Sequence, residues 1–410
     1  MGPAMSSSPC ASAAAWGQQA SSRLSDYATS TGGVMSFKDT NLVLRSEISA
    51  DGMLDLWLDE RPLPVLKSGE VRVRMEAAPV NPSDMGLMLA SADLSTANRT
   101  GAGVGSRMRA ELLDRKVRPF AGRIGIPLPV GNEGTGTVVD AAPDVADMIG
   151  RQVSLFGGGM YARYRTIAAK ECLILPAHIA AEKRASLFVN PMTALAMVET
   201  MRMEGHGAII HTAAASSLGQ MLIKICKADG VDLVNIVRGE QQVAMLKNLG
   251  AQYVVDGNAP DFHAQLRTAV AETRATIAFD AIGGGRMTNI LLQAMEASEL
   301  RFSSSYSLYG SDVVKQIYIY GSLDLGETGL DRSYGYAWSV SAFLVTNFLK
   351  RVSDDVRLRL LSRIASEYDS TFATQFARCI RLTDLLEPNV LAGLTQKRTG
   401  DKYLILFDDF

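Results

Sequence analysis

The sequence predicts a two-domain α/β protein, a β-rich unit interrupted by an open, doubly wound parallel sheet, on three observations. The 410 residues exceed one domain of about 150 residues. Residues 41–80 alternate apolar and polar positions, as half-buried strands do. From about residue 180 short apolar runs alternate with helical stretches, the pattern of a parallel sheet covered on both faces.

Residues 1–35 stand apart: rich in Ser, Ala and Gly, with Arg23 and Asp26 as their charges. They suit either an organellar targeting segment or a plain tail, so the expected location is cytoplasmic, or mitochondrial if the segment is a transit peptide. NLVLRSEI (41–48), MLDLWLDE (53–60) and EVRVRMEAAPV (70–80) read as strands. Gly and Pro punctuate the region that follows, implying an irregular β-rich domain to about 179. Residues 91–125 interrupt it as a long insertion, with a flexible run (TGAGVGS, 100–106) and a charged, helix-compatible run (RMRAELLDRKVR, 107–118). Such a segment suits a lid over the acceptor, whose cations Arg107, Arg109, Arg115, Lys116 and Arg118 would favour an anionic one. A surface excursion or a dimer-contact arm fits as well.

In the second half the strand candidates are Gly207–His211, Leu233–Val237, Tyr253–Val255, Thr276–Asp280 and Gln316–Gly321. Gly230 and Gly250 read as the stops of the first two intervening helices. The tail adds helices and closes on the strand-like KYLILF, so the chain is expected to return to its first domain. The expected units are therefore 36–179 with 323–410, and 180–322 between them, with the ligand held at the cleft outside the carboxyl ends of the parallel strands.

Composition removes several functions. Lys plus Arg number 41 against 43 acidic residues, a formal charge of −2, and no basic stripe offers a surface for nucleic acid. The uncharged stretch Ser333–Leu349 has 17 residues and several polar ones, too short and too polar for a membrane span. Four Cys, at 10, 172, 226 and 379, form no CxxC pair and fit a reducing compartment, and four His leave little for a His-built metal site.

The first strand of the parallel unit runs into HTAAASSLGQ (211–220). A dinucleotide fold needs small residues here, so that N–H groups at a helix N-terminus approach a pyrophosphate. Ala214, Ala215, Ser216 and Ser217 replace the usual glycines and Gly219 remains; a helix merely capped by Ser216 or Ser217 reads the same way. Arg238 ends the second strand, 19 residues past Gly219. An acid there would bind a ribose 2′-hydroxyl, whereas an Arg suits a 2′-phosphate, so NADP(H) is the expected cofactor. A solvated surface Arg is the alternative, and Glu240 would repel a phosphate if it pointed inward.

Eight segments in order carry a resemblance: AAPVNPSDMG (77–86), PVGNEGTGTVV (129–139), VNPMTALAMVE (189–199), HTAAASSLGQ (211–220), VNIVRG (234–239), LKNLGAQYVVD (246–256), FDAIGGG (279–285) and RTGDKYLILF (398–407). Together they resemble the medium-chain dehydrogenase/reductase superfamily, and within it the zinc-free quinone oxidoreductase and mitochondrial-type enoyl reductase branch. The resemblance implies a GroES-like catalytic domain and a Rossmann domain, commonly in a homodimer. Where the family's zinc enzymes have Cys and His ligands this chain has Asn81 and Asn132, and amides do not build a three-ligand catalytic zinc site. No metal is expected. The implied reaction is hydride transfer from NADPH to a quinone or an α,β-unsaturated carbonyl or thioester, with a nucleotide-binding structural or regulatory subunit as the alternative.

By the same resemblance Asn81 and Asn132 would line the acceptor side. Asn190 and Thr193 would form a wall beside the cofactor, and Ser216, Ser217, Leu218 and Gly219 would hold the pyrophosphate. Ile282, Gly283 and Gly284, then Tyr320, Gly321 and Ser322, would approach the adenosine or nicotinamide. Lys402 would reach the cofactor or lie on the surface. The subgroup's Tyr proton donor is missing, with Ala92 and Asp93 at the nearest match. Tyr161, in FGGGMYARY, either faces the cleft or packs a strand turn.

Overall fold

The computed structural model describes residues 40–113, 122–303, 306–396 and 402–407. It divides into two units, one taking the chain to Ser186 and again from Thr374, the other Leu187–Ala373.

The first unit opens with β1 (Thr40–Ile48), β2 (Met53–Pro62) and β3 (Glu70–Pro79), then the short helix α1 (Pro82–Leu89). The insertion follows as β4 (Ala92–Thr100) and β5 (Arg107–Leu112). After it come β6 (Leu128–Pro129), β7 (Glu133–Ala141), β8 (Gln152–Phe156), β9 (Tyr164–Ala168), β10 (Leu173–Leu175) and the single turn α2 (Ala181–Arg184). One sheet has the order β4-β5-β2-β1-β6. Its alternation is that of the sequence: Leu42, Leu44, Leu54 and Leu56 are fully buried in one apolar cluster.

The second unit begins with α3 (Val189–Met203) and β11 (Ala208–His211). It continues with α4 (Ser217–Asp229), β12 (Asp232–Val237), α5 (Glu240–Asn248), β13 (Tyr253–Asp256), α6 (Phe262–Thr273), β14 (Ile277–Asp280), β15 (Gly283–Gly285), α7 (Met287–Phe302), β16 (Lys315–Ile319), β17 (Asp324–Thr328), β18 (Trp338–Ala342), α8 (Val345–Arg351) and α9 (Asp354–Ser366). Its sheet is parallel, in the order β13-β12-β11-β14-β16-β18. Ile210, Ile236 and Ala278 pack against Phe262 and Leu266 of α6 and Leu291 and Met295 of α7, while the alternate residues Ile209 and Phe279 are buried too. Gly230 ends α4 in the left-handed region at φ 66°, the conformation that favours Gly.

The chain then returns to the first unit as β19 (Arg378–Arg381), α10 (Pro388–Thr395) and β20 (Tyr403–Leu406). KYLILF thus joins the sheet ordered β10-β8-β7-β3-β20-β19, antiparallel to β3, and not the parallel sheet.

Three expectations need correcting. The expected return at 323 comes only at 374, because β18, α8 and α9 continue the second unit: α9 is held by Arg363 on Asp229 of α4 and Arg359 on Glu199 of α3. Residues 107–112 are a strand, not part of a helix; Met108, Ala110 and Leu112 alternate with charged neighbours, and Met108 pairs with Leu56 of β2. Nor is this hairpin built as a free lid. It is sheet-paired along β2 and tied by Arg99 to Glu387, while Arg107 and Arg109 are spent on Asp55 and Asp51. Arg115, Lys116 and Arg118 lie outside the described residues. Cys172 and Cys226 are free thiols whose pKa burial pushes up to about 12.

Candidate active site

In the second unit the loop between β11 and α4 turns sharply, with Ala213 at φ 52°. Ser216 caps α4 by accepting the N–H of Gly219 at 3.1 Å. Gly219 is obligatory: a Cβ there would lie 2.2 Å from the carbonyl oxygen of Ala214. Among the described residues nothing accepts the N–H groups of Ser217 and Leu218, which leaves the helix end as an open donor pair. Arg238 follows β12, exposed, and its guanidinium makes no ion pair among the described residues. Its backbone N–H donates to Gln242 Oε1 at 2.9 Å, and that of Gly239 donates to Asp256 Oδ1 at 2.8 Å. These residues therefore fit a 2′-phosphorylated dinucleotide: small loop, free helix donors, unpaired fork.

The strand ends beside this loop are locked by Asp280. Its carboxylate accepts from Thr212 Oγ1 (2.7 Å), the N–H groups of Ile282 (2.9 Å) and Gly283 (3.3 Å), and Thr288 Oγ1 (3.2 Å). The N–H groups of Ile282 and Gly283 are thus already committed, and what this turn offers a ligand is close approach. Side chains are excluded at Gly283, Gly284 and Gly321, where a Cβ would meet backbone oxygens at 2.8, 2.6 and 2.5 Å. Ser322 is exposed.

Tyr320 is half-buried: its hydroxyl meets Nε2 of fully buried His211 at 2.7 Å, the rings stacked 5.7 Å apart. Burial holds the His211 pKa down to about 3, so the ring is neutral, and burial with Asp280 nearby raises that of Tyr320. On α3, Thr193 spends its hydroxyl on the Val189 carbonyl (2.6 Å), and Asn190 is half-buried at the helix start.

The first unit gathers a second polar group. Pro82 starts α1 and Asp84, at its third position, reaches back to the N–H of Asn81 at 2.8 Å. The other oxygen of Asp84 accepts the N–H of Asn132 at 2.7 Å. Asn81 Nδ2 donates to Glu133 Oε1 at 2.8 Å, and Asn132 Nδ2 to Ser83 Oγ at 2.9 Å. The structure therefore brings Asn81 and Asn132 together, from two loops, around a carboxylate that is wholly buried. Burial, then the nearby Glu133, pushes the Asp84 pKa up to about 7 against the backbone donors that lower it. Lys402 is no free surface residue. Its ammonium bonds Ser186 Oγ, and burial lowers its pKa against the attraction of Glu133 and Asp84.

Tyr161 belongs to the core and does not line an open surface. It is fully buried and donates its hydroxyl to the Pro79 carbonyl at 2.9 Å, and Gly131 exists because a Cβ would strike its ring at 2.4 Å. Ala92 and Asp93, at the missing Tyr, lie in β4. Sequence reasoning missed Asp84, Glu133, His211 and Asp280 as organisers. The signal was present for two of them, the single charged residues of the otherwise uncharged motifs NPSD and GNEG. Among the described residues no three His, Cys, Asp or Glu side chains converge as metal ligands.

Comparison with known proteins agrees with this geometry. A family model described as zinc-binding dehydrogenase matches residues 217–299. The bovine mitochondrial enoyl-[acyl-carrier-protein] reductase is 27% identical over 240 residues, 56% of each chain. A chloroplast envelope quinone oxidoreductase homolog of Arabidopsis thaliana is 25% identical over 211 residues, 49% of this chain and 56% of that one. The chain spans about half the length of the curated relatives it matches. Among solved structures, one provisionally named an NADPH:quinone reductase, from Mesorhizobium loti, superposes with a TM-score of 0.68 at 22% identity, over 91% of this chain and 100% of the other. The Etr1p complex with NADP and crotonyl-CoA gives 0.62 at 18%, over 90% and 99%. Over residues 217–299 the chain is thus similar to the zinc-binding dehydrogenases, its curated relatives include enoyl and quinone reductases, and its fold, a β-rich unit with a parallel dinucleotide-type sheet, is that of the solved quinone and enoyl reductase structures.

Proposed function

We propose that the protein is an NADPH-dependent, zinc-independent reductase of a quinone or an α,β-unsaturated carbonyl compound or thioester. One observation carries the reading: the unpaired Arg238 fork stands after β12, in the same unit as the open donor end of α4. When bound, NADPH supplies the hydride. Ser217 and Leu218 would donate their N–H groups to the pyrophosphate, and Arg238 would pair with the 2′-phosphate. Gly283 and Gly321 would let the cofactor lie against backbone. Asn81 and Asn132 would present polar edges to the acceptor, as the names of the relatives and the bound crotonyl-CoA of Etr1p support. The mitochondrial relatives support an organellar location, and the chain is proposed to act as a homodimer.

The test is a titration with both cofactors followed by assay against quinones and enoyl thioesters. NADPH is expected to bind at least about tenfold more tightly than NADH, a difference of about 1.4 kcal/mol, and Arg238→Ala to remove most of it. Equal affinity in the wild type would defeat the assignment of Arg238. Tight NADPH binding without turnover on any acceptor would favour a regulatory subunit instead.

A further inference from the structure

We propose that Asp84 is a positioning residue of the acceptor site, a carboxylate clamp that holds the loops carrying Asn81 and Asn132 in register. The inference rests on the reductase reading for what those two amides do. The clamp itself stands on geometry. One oxygen of Asp84 takes the N–H of Asn81 at 2.8 Å and the other takes that of Asn132 at 2.7 Å, 48 residues away in the chain. Asp84 has no exposed surface and Asn81 is 2% exposed, so water does not substitute for the bond between them, while Asn132 is half-buried. Asn81 is held further by Glu133, itself 1% exposed, and Asn132 by Ser83. These side-chain bonds join the loop entering α1 to the loop entering β7, and among the described residues Asp84 alone fixes the two backbones directly, through one N–H of each.

A carboxylate performs this task only when ionised. Two backbone donors need two acceptor oxygens, and a protonated carboxyl turns an O–H towards one of them, so one loop is released. The groups facing Asp84 are Glu133 at the start of β7, the Tyr161 hydroxyl before β9 and Lys402 before β20. Glu133 opposes ionisation of Asp84, whereas the Lys402 ammonium and the two N–H donors favour it. Asp84 therefore changes state near neutrality, its pKa lying at about 7. The clamp is closed above that pH and half open below it.

The experiment uses the full chain, with crotonyl-CoA and 2-methyl-1,4-naphthoquinone as acceptors and NADPH affinity followed by fluorescence. In the wild type the acceptor KM is expected to rise about tenfold from about pH 8.5 to about pH 5.5, while the NADPH Kd stays level. Asp84→Asn keeps one acceptor oxygen and turns an amino group to the second N–H. It should show the raised KM at both pH values, with the dependence gone. A variant whose acceptor KM keeps the wild-type pH profile would overturn the proposal. Hydrogen exchange on the wild type decides independently of turnover and of the variant's folding. Corrected for intrinsic rates, segments 80–85 and 130–134 should lose protection at the lower pH, and 208–220 should not. Unchanged protection in the first two segments rejects the clamp, whereas absence of turnover with retained pH-dependent protection rejects only the reductase reading.

Discussion

His211 shows how a single buried side chain sets a pH limit. Its pKa falls from 6.5 to about 3 because burial penalises the imidazolium, and no carboxylate is bonded to it. Below about pH 6.5 the unfolded chain takes up a proton here that the folded chain refuses, so stability is lost as pH falls from about 6.5 towards 3. At about pH 4.5 the loss amounts to roughly 2–3 kcal/mol. Replacing His211→Gln should flatten this limb, read by urea denaturation at about pH 7 and about pH 4.5; an equally steep fall in the variant would show that other groups carry it. Asp84 acts in the opposite direction. Its raised pKa means stability is lost as pH rises from about 4 to about 7 and is level above. The position of Arg238 after the second strand and the small-residue turn at Gly219 were legible in the sequence, because both follow from spacing along one strand–loop–helix unit. Asp84, Lys402 and His211 were not, since each owes its properties to chain segments that only folding brings close.

At the scale of elements, the apolar runs of β11, β12 and β14 announced themselves because strands buried on both faces carry few polar residues. The hairpin β4–β5 misled for the converse reason. Its outward residues Arg107, Arg109 and Glu111 are good helix formers, and the short inward set Met108, Ala110 and Leu112 was outweighed by them. The period of two was nonetheless there. Asp51 and Asp55 across the sheet complete the charge pattern that makes the strand stable. The turn into α4 depends more sharply on one position. Gly219→Ala would place a methyl group where the Ala214 carbonyl already sits, and backbone cannot swing aside as a flexible side chain would. The helix start must then move and the Ser216 cap break, a cost of about 1–3 kcal/mol. NADPH affinity should fall by about tenfold or more with it, measurable by calorimetry beside a melting curve. Retention of both values would mean the loop is more plastic than its close approach implies.

At the scale of the whole molecule, the parallel sheet ends on β18, and among the described residues no strand pairs with its outer edge. Trp338–Ala342 holds no charge, nor does any residue from Ser333 to Leu349. Natural edges are normally blunted by Lys, Pro or a covering segment, because unpaired N–H and C=O groups invite another strand. The ladder to β16 shows which groups remain: Lys315 donates to Ala337 and Phe343 donates to Ile319, so the N–H groups of Val340 and Ala342 point outward. Tyr336 and Leu344, 81% and 56% exposed, flank the strand with apolar surface. A second copy pairing β18 against β18 about a two-fold axis would satisfy those donors and cover the flanking side chains together. Ala342→Pro removes one outward donor without touching an inward bond, and the fixed φ of proline is tolerated at an edge. Sedimentation at micromolar concentration should therefore find a dimer in the wild type and mainly monomer in the variant, with NADPH still bound by the unit that holds Arg238. A monomeric wild type, or a variant as dimeric as its parent, would show that this edge is not where two copies meet.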